Sequence, residues 1–266
     1  VDARAVIRDV ELAYEQSDGC GLPLVWGHGL TSSRADERTT PLLDLDRIGA
    51  ARRVLRYDAR GHGESGLTAE LAAYRWDAMA ADQLALADAL GIDRYVAGGA
   101  SMGAATALYA AIAAPERVAA LVLVIPPTAW ETRDAQRELY RSMADVVERR
   151  GVELLLRGTA QLPPPDPYAG DAQWREARVQ RLREADPQRL AAVFRGAATT
   201  DLPPRDRVAT IRAPTLVLAW TGDTGHPVST AVELARLIPG ARLLLASTRD
   251  ELARWTNEVE AFLEGS

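Results

Sequence analysis

Lysine is missing altogether from these 266 residues, and every basic side chain is an arginine. With so much alanine alongside, this reads as the codon bias of a GC-rich genome rather than as function. Cysteine occurs once, at Cys20, so no internal disulfide can form, which suits a reducing cytoplasm. No apolar run approaches the length that crosses a bilayer. The opening VDARAVIRDVELAYEQ is too charged for a signal peptide. A cytoplasmic protein without membrane association is therefore expected. Basic residues are not gathered into a patch and the net charge is -6, which argues against a nucleic-acid partner. A glycine-rich phosphate loop, paired cysteines and a His-x-x-x-His pattern are all absent, so no nucleotide, metal or organic cofactor is expected. Histidine is scarce too: there are only His28, His62 and His226.

What is present points to one large domain, or a domain with an insertion, and to a small-molecule substrate or ligand. Short apolar runs alternate with helical stretches. Strands are expected within Val6–Glu15 and at Leu22–Trp26, Val54–Tyr57, Arg94–Ala97, Val118–Ile125, Pro214–Trp220 and Ala241–Ala246. Helices are expected at Tyr74–Leu90, Met102–Ala114, Val228–Leu237 and Glu251–Leu263. Several of the strands are apolar throughout, the mark of a mostly parallel sheet covered by helices on both faces, an α/β doubly wound fold. Between Pro127 and about Arg207 the alternation stops and the chain becomes charged and helix-like. The expected division is a core at 1–126, a helical cap insertion at 127–207, and a second core part at 208–266.

Ligands on such sheets bind beyond the carboxyl ends of the strands. His28-Gly29, Asp58, Ser101 and Asp223 all follow strands. Gly99-Ala100-Ser101-Met102-Gly103 fits the strand-to-helix turn G-x-S-x-G. That turn strains the serine and needs tiny neighbours two positions away. It aims the backbone N–H of Met102, at a helix N-terminus, toward developing negative charge. The loop after the His28-Gly29 pair can offer the N–H of Leu30 as a second donor. His28 and His62 are expected to brace loops, and Asp58 and Arg60 to pair. Trp130, just past a strand end, either lines the pocket or packs the cap onto the core.

The stretches HGLTSS, YDARGHGES, GGASMG, PERV and PTLVLAWTGD resemble, in order and spacing, the α/β-hydrolase superfamily. YDARGHGES is most similar to enol-lactonases and cofactor-free perhydrolases and esterases. The resemblance implies Ser101 as nucleophile, Asp223 as triad acid, and Leu30 and Met102 as oxyanion donors; Gly29 and Trp130 are the candidates expected to meet the substrate. It also implies a histidine after the last strand, and none follows position 226. A serine hydroxyl without a base is a poor nucleophile. Either His226, three residues after Asp223, has taken over the role, or His28 or another group serves, or the site no longer uses a nucleophilic serine, or the histidine was mutated away. The expectation is an esterase or lactonase with a non-standard triad. The rival is a non-hydrolytic lyase, cyclase or ligand-binding member of the fold.

Overall fold

The apolar runs become eight strands in the computed structural model, which describes residues 2–265. They are β1 (Asp2–Ile7), β2 (Val10–Gln16), β3 (Cys20–Gly27), β4 (Arg52–Tyr57), β5 (Tyr95–Ala100), β6 (Val118–Val124), β7 (Thr215–Trp220) and β8 (Arg242–Ala246). They form one sheet in the order β1-β2-β4-β3-β5-β6-β7-β8. The β1–β2 and β2–β4 pairs are antiparallel and all the others are parallel. The expected α/β doubly wound sheet is thus present.

Strands β5 and β7 are buried at every position, as two-sided coverage requires. Alternate side chains feed two cores. Val217 and Ala219 join Val25, Leu55 and Leu121 on one face, while Leu216, Leu218 and Trp220 join Leu24, Val96 and Val122 on the other. The helices α3 (Trp76–Ala89) and α4 (Met102–Ala113) cover the first face, and α2 (Leu45–Ala51) and α12 (Trp255–Glu264) the second. α1 (Arg34–Thr39) follows β3, and α10 (Val228–Leu237) follows β7.

Two expected helices are broken. Tyr74 belongs to a 3₁₀ turn, Leu71–Tyr74, and α3 starts only at Trp76. The closing helix is two pieces, α11 (Arg249–Ala253) and α12, with Thr248 and Glu251 forming a capping box on the first. Glu251 is therefore a cap, as acidic residues in a first turn tend to be. Val6–Glu15 holds two strands joined by a tight turn at Arg8.

Between β6 and β7 the described residues form helices only: a 3₁₀ turn at Trp130–Thr132, α5 (Arg133–Arg150), α6 (Val152–Gln161), a 3₁₀ turn at Asp166–Tyr168, α7 (Ala172–Glu184), α8 (Pro187–Ala197) and α9 (Arg205–Val208). No helix among the described residues is long and apolar enough to cross a membrane.

The chain leaves β3 for β4 on one side of the sheet and returns to β5 on the other. This reversal opens a crevice between the ends of β3 and β5, where sheets of this kind bind ligands. Gly27 and Gly99 face each other there.

Candidate active site

Ser101 sits at the sharpest point of the β5–α4 turn with φ 52° and ψ −105°. Only glycine adopts such a backbone without strain, so the surroundings must hold it in place. They do so by close packing. A Cβ on Gly103 would stand 2.0 Å from the carbonyl oxygen of Gly27, and one on Gly99 2.5 Å from the same atom. Two backbone bonds tie the turn to its neighbours, Ser101 N–H to the Val124 carbonyl at 2.9 Å and Gly103 N–H to the His28 carbonyl at 3.1 Å. The hydroxyl is left at the crevice, partly exposed.

His226 meets it. Nε2 of His226 lies 2.8 Å from Oγ of Ser101, and Nδ1 lies 2.8 Å from Oδ2 of Asp223. A carboxylate only accepts, so Nδ1 carries the proton and the Nε2 lone pair faces the serine O–H. Asp223 is fixed on both oxygens. Oδ2 also accepts the indole N–H of Trp220 at 3.1 Å, and Oδ1 accepts the Gly225 N–H at 2.8 Å. Burial raises its carboxyl, but the charge and hydrogen bond of His226, with those two donors, outweigh burial and hold it well below the usual carboxylate range. Histidine and acid therefore share one four-residue segment, Asp223–His226, after β7.

That segment is braced from the helical region. Asp166 accepts the Thr221 hydroxyl at 2.6 Å and donates its N–H to the Thr221 carbonyl at 2.9 Å. Thr128 N–H reaches the Gly225 carbonyl at 3.1 Å. Gly222, at φ 79°, lies against Asp166, where a Cβ would come within 2.3 Å of the carboxylate. Sequence reasoning did not single out Trp220 or Asp166. Their signals were faint: an aromatic at a strand end and an aspartate among prolines.

Leu30 and Met102 flank the serine from the two loops. Among the described residues neither N–H has a hydrogen-bond partner within the chain. Gly29 lies beside Ser101; a Cβ there would be 3.8 Å from the Ser101 Cβ. Free backbone donors beside a serine–histidine pair can hold the oxyanion of a tetrahedral adduct.

The other two histidines are committed elsewhere. Nδ1 of His28 donates to the Gly29 carbonyl at 2.8 Å, and Nε2 accepts the Ala59 N–H at 3.0 Å. Burial lowers its pKa, which keeps it neutral in this bracing role. His62 lies between the carbonyls of Arg60, 2.9 Å from Nδ1, and Leu30, 2.7 Å from Nε2. Its pKa is held down to about 4 by burial and by His28 next to it. Neither has a ring nitrogen left for Ser101.

Asp58 and Arg60 do not pair. Arg60 is fully buried against Asp82 of α3, at 2.7 and 2.8 Å, and also reaches Asp9. Asp58 accepts the N–H groups of Arg34 and Glu64 and lies 3.3 Å from the Arg34 guanidinium. The two side chains leave a tight turn in opposite directions. Trp130, at φ 51°, donates its indole N–H to the Pro203 carbonyl at 3.1 Å, with the Arg205 guanidinium over its ring at 4.4 Å. It ties the start of the helical region to its end.

A family model described as alpha/beta hydrolase fold matches residues 23–253. RutD of Azorhizobium caulinodans, a protein named for carbamate hydrolysis, is 28% identical over 245 residues, covering 88% of this chain and 86% of its own. 3-Oxoadipate enol-lactonase 1 of Acinetobacter baylyi is 29% identical over 183 residues, 68% of this chain and 64% of its own. Among solved structures, a hydrolase from Pseudomonas aeruginosa superposes with a TM-score of 0.82 at 26% identity over 98% of both chains. The enol-lactonase from Burkholderia xenovorans reaches 0.83 at 24% identity over 98% of this chain and 100% of its own.

Proposed function

Because the chain belongs to the α/β-hydrolase fold family, we propose that it hydrolyses a small or medium carboxylic ester or lactone through an acyl-enzyme on Ser101. One observation carries this reading: the unbroken hydrogen-bonded relay from Asp223 through His226 to the Ser101 hydroxyl. Resemblance to relatives named for carbamate and enol-lactone hydrolysis supports the same class of bond.

In this reading His226 Nε2 takes the Ser101 proton as Oγ attacks the scissile carbonyl, and Asp223 stabilises the imidazolium that forms. The N–H groups of Leu30 and Met102 receive the carbonyl oxygen as it becomes an oxyanion. Collapse expels the alcohol, or opens the lactone ring, with the proton returned from His226. Water, deprotonated by the same imidazole, then releases the acid and restores the serine. Residues 127–207 act as a cap that shields this chemistry, and Gly29 leaves room for the substrate beside the nucleophile. A non-hydrolytic member that had lost its base would have His226 turned to solvent or walled off from Ser101. The 2.8 Å contact weighs against that rival.

The test is hydrolysis of p-nitrophenyl esters by the wild type, Ser101→Ala and His226→Ala, with mass spectrometry of the quenched enzyme. The reading expects a rate lost in both variants and an acyl adduct on the wild-type peptide that carries Ser101. A wild-type rate equal to that of both variants overturns it.

A further inference from the structure

The loop that carries Asp223 and His226 has little stiffness of its own. Glycines at 222 and 225 stand on either side of the acid, and Gly222 is at φ 79°. A carboxylate on such a loop turns about its Cβ–Cγ bond unless something rigid holds it. Trp220 offers that hold. It is the last residue of β7, an inner strand of the sheet, and is only 4% exposed.

The Trp220 ring is fixed on three sides. Trp255, the first residue of α12, stacks on it with 6.4 Å between centroids and 22° between planes. Tyr168 meets it edge-on at 5.8 Å, and the His226 ring does so at 6.2 Å. Held this way, the indole aims its one N–H at Oδ2 of Asp223, 3.1 Å away. That is the same oxygen that His226 Nδ1 meets at 2.8 Å, while Oδ1 takes the Gly225 N–H. The sheet thus fixes the very oxygen that orients the imidazole. A donor on a rigid element that locks a functional side chain from behind is how such a group keeps its geometry.

We propose that Trp220 is a positioning residue for the relay: its indole N–H holds Asp223 Oδ2 against Nδ1 of His226, so that Nε2 stays turned to the Ser101 hydroxyl. It acts through Asp223 rather than on the reacting atoms. Its effect on rate rests on the hydrolase reading; its effect on the His226 ring does not.

The test removes the N–H and keeps an aromatic ring. Trp220→Phe, and a protein in which the Trp220 indole is replaced by the benzothiophene isostere, are compared with the wild type on p-nitrophenyl butyrate, with circular dichroism to verify folding. Each should lower kcat by about tenfold to a hundredfold, with KM changed by less than about threefold. Trp255→Phe trims the same aromatic stack without touching Asp223 and should keep kcat within about threefold. In an Asp223→Ala background the loss of the indole N–H should have no further effect, because nothing remains for it to hold. Three results each overturn the proposal and leave the hydrolase reading standing. They are an isostere with the wild-type kcat, a Trp255→Phe loss as large as that of Trp220→Phe, and a Trp220→Phe loss that repeats in full in the Asp223→Ala protein. Proton NMR separates the two ideas. The Nδ1–H of His226 should give a low-field resonance that His226→Ala lacks and that loss of the indole N–H shifts. If the wild type turns over no ester but the resonance moves in this way, the hydrolase reading falls and the positioning role stands. If the resonance is missing from the wild type or does not move, the positioning role falls.

Discussion

His226 reaches the Ser101 hydroxyl across 125 positions of chain, yet stands only three residues from the carboxylate that orients it. His226 and Asp223 thus follow the same strand, β7, and the end of β8 supplies neither.

If this relay is the catalytic machinery, Ser101→Ala and His226→Ala should each lower kcat by about a millionfold, and the double variant should be scarcely worse than either. Asp223→Asn should cost somewhat less. Steady-state kinetics on one activated ester, with circular dichroism to verify folding, checks all of these. Additive losses would mean that the three groups do not act as a unit.

The β5–α4 turn also makes a stability prediction. Gly103→Ala places a methyl group against the Gly27 carbonyl, where backbone on both sides leaves nothing flexible to yield. Its urea midpoint should fall by the equivalent of about 2 kcal/mol or more. Gly151→Ala, whose Cβ would meet nothing within 4 Å but whose φ is 74°, should cost less.

Arg60 and Asp82 form an ion pair with almost no exposed surface. Removing the Arg60 side chain leaves buried Asp82 with only the half-exposed Arg8, 3.0 Å away, so Arg60→Met should destabilise by about 3 kcal/mol. Arg60→Met combined with Asp82→Leu should cost well under the sum of the single changes. Chemical denaturation of the four proteins completes the cycle.

Glu37 gives a pH signature. Burial raises its carboxyl from the ordinary 4.5 to about 7, with the Trp26 indole bond opposing the shift. Between these values the folded state holds a proton that the unfolded chain has released, so this group's contribution to stability falls as pH rises from about 4.5 through about 7. Urea midpoints measured across that window should decline less steeply in Glu37→Gln than in the wild type. Parallel slopes would show that Glu37 titrates normally.

The sheet was readable because several of its inner strands are apolar almost throughout, and few other structures bury a run such as VAALVLV. The places of Ser101 and Met102 were readable because a strand-to-helix turn this tight needs tiny residues two positions from the serine. His226 was legible as one option of several, since so few histidines remained. Its position against Ser101 depends on how the β7 loop folds back, which spacing alone does not encode. Asp58 and Arg60 show the converse. Closeness in sequence suggested a pair, but a turn sends neighbouring side chains apart, and the true partners lie 24 and 22 residues away.

The brace between Asp166 and Thr221 gives the molecule a particular architecture for change. Asp223 and His226 travel together on a short cassette that is latched to the helical region. A substitution in those helices can therefore also shift the alignment of His226 against Ser101. The edge strand β8 and the closing helices put no side chain into the contacts among Asp223, His226 and Ser101.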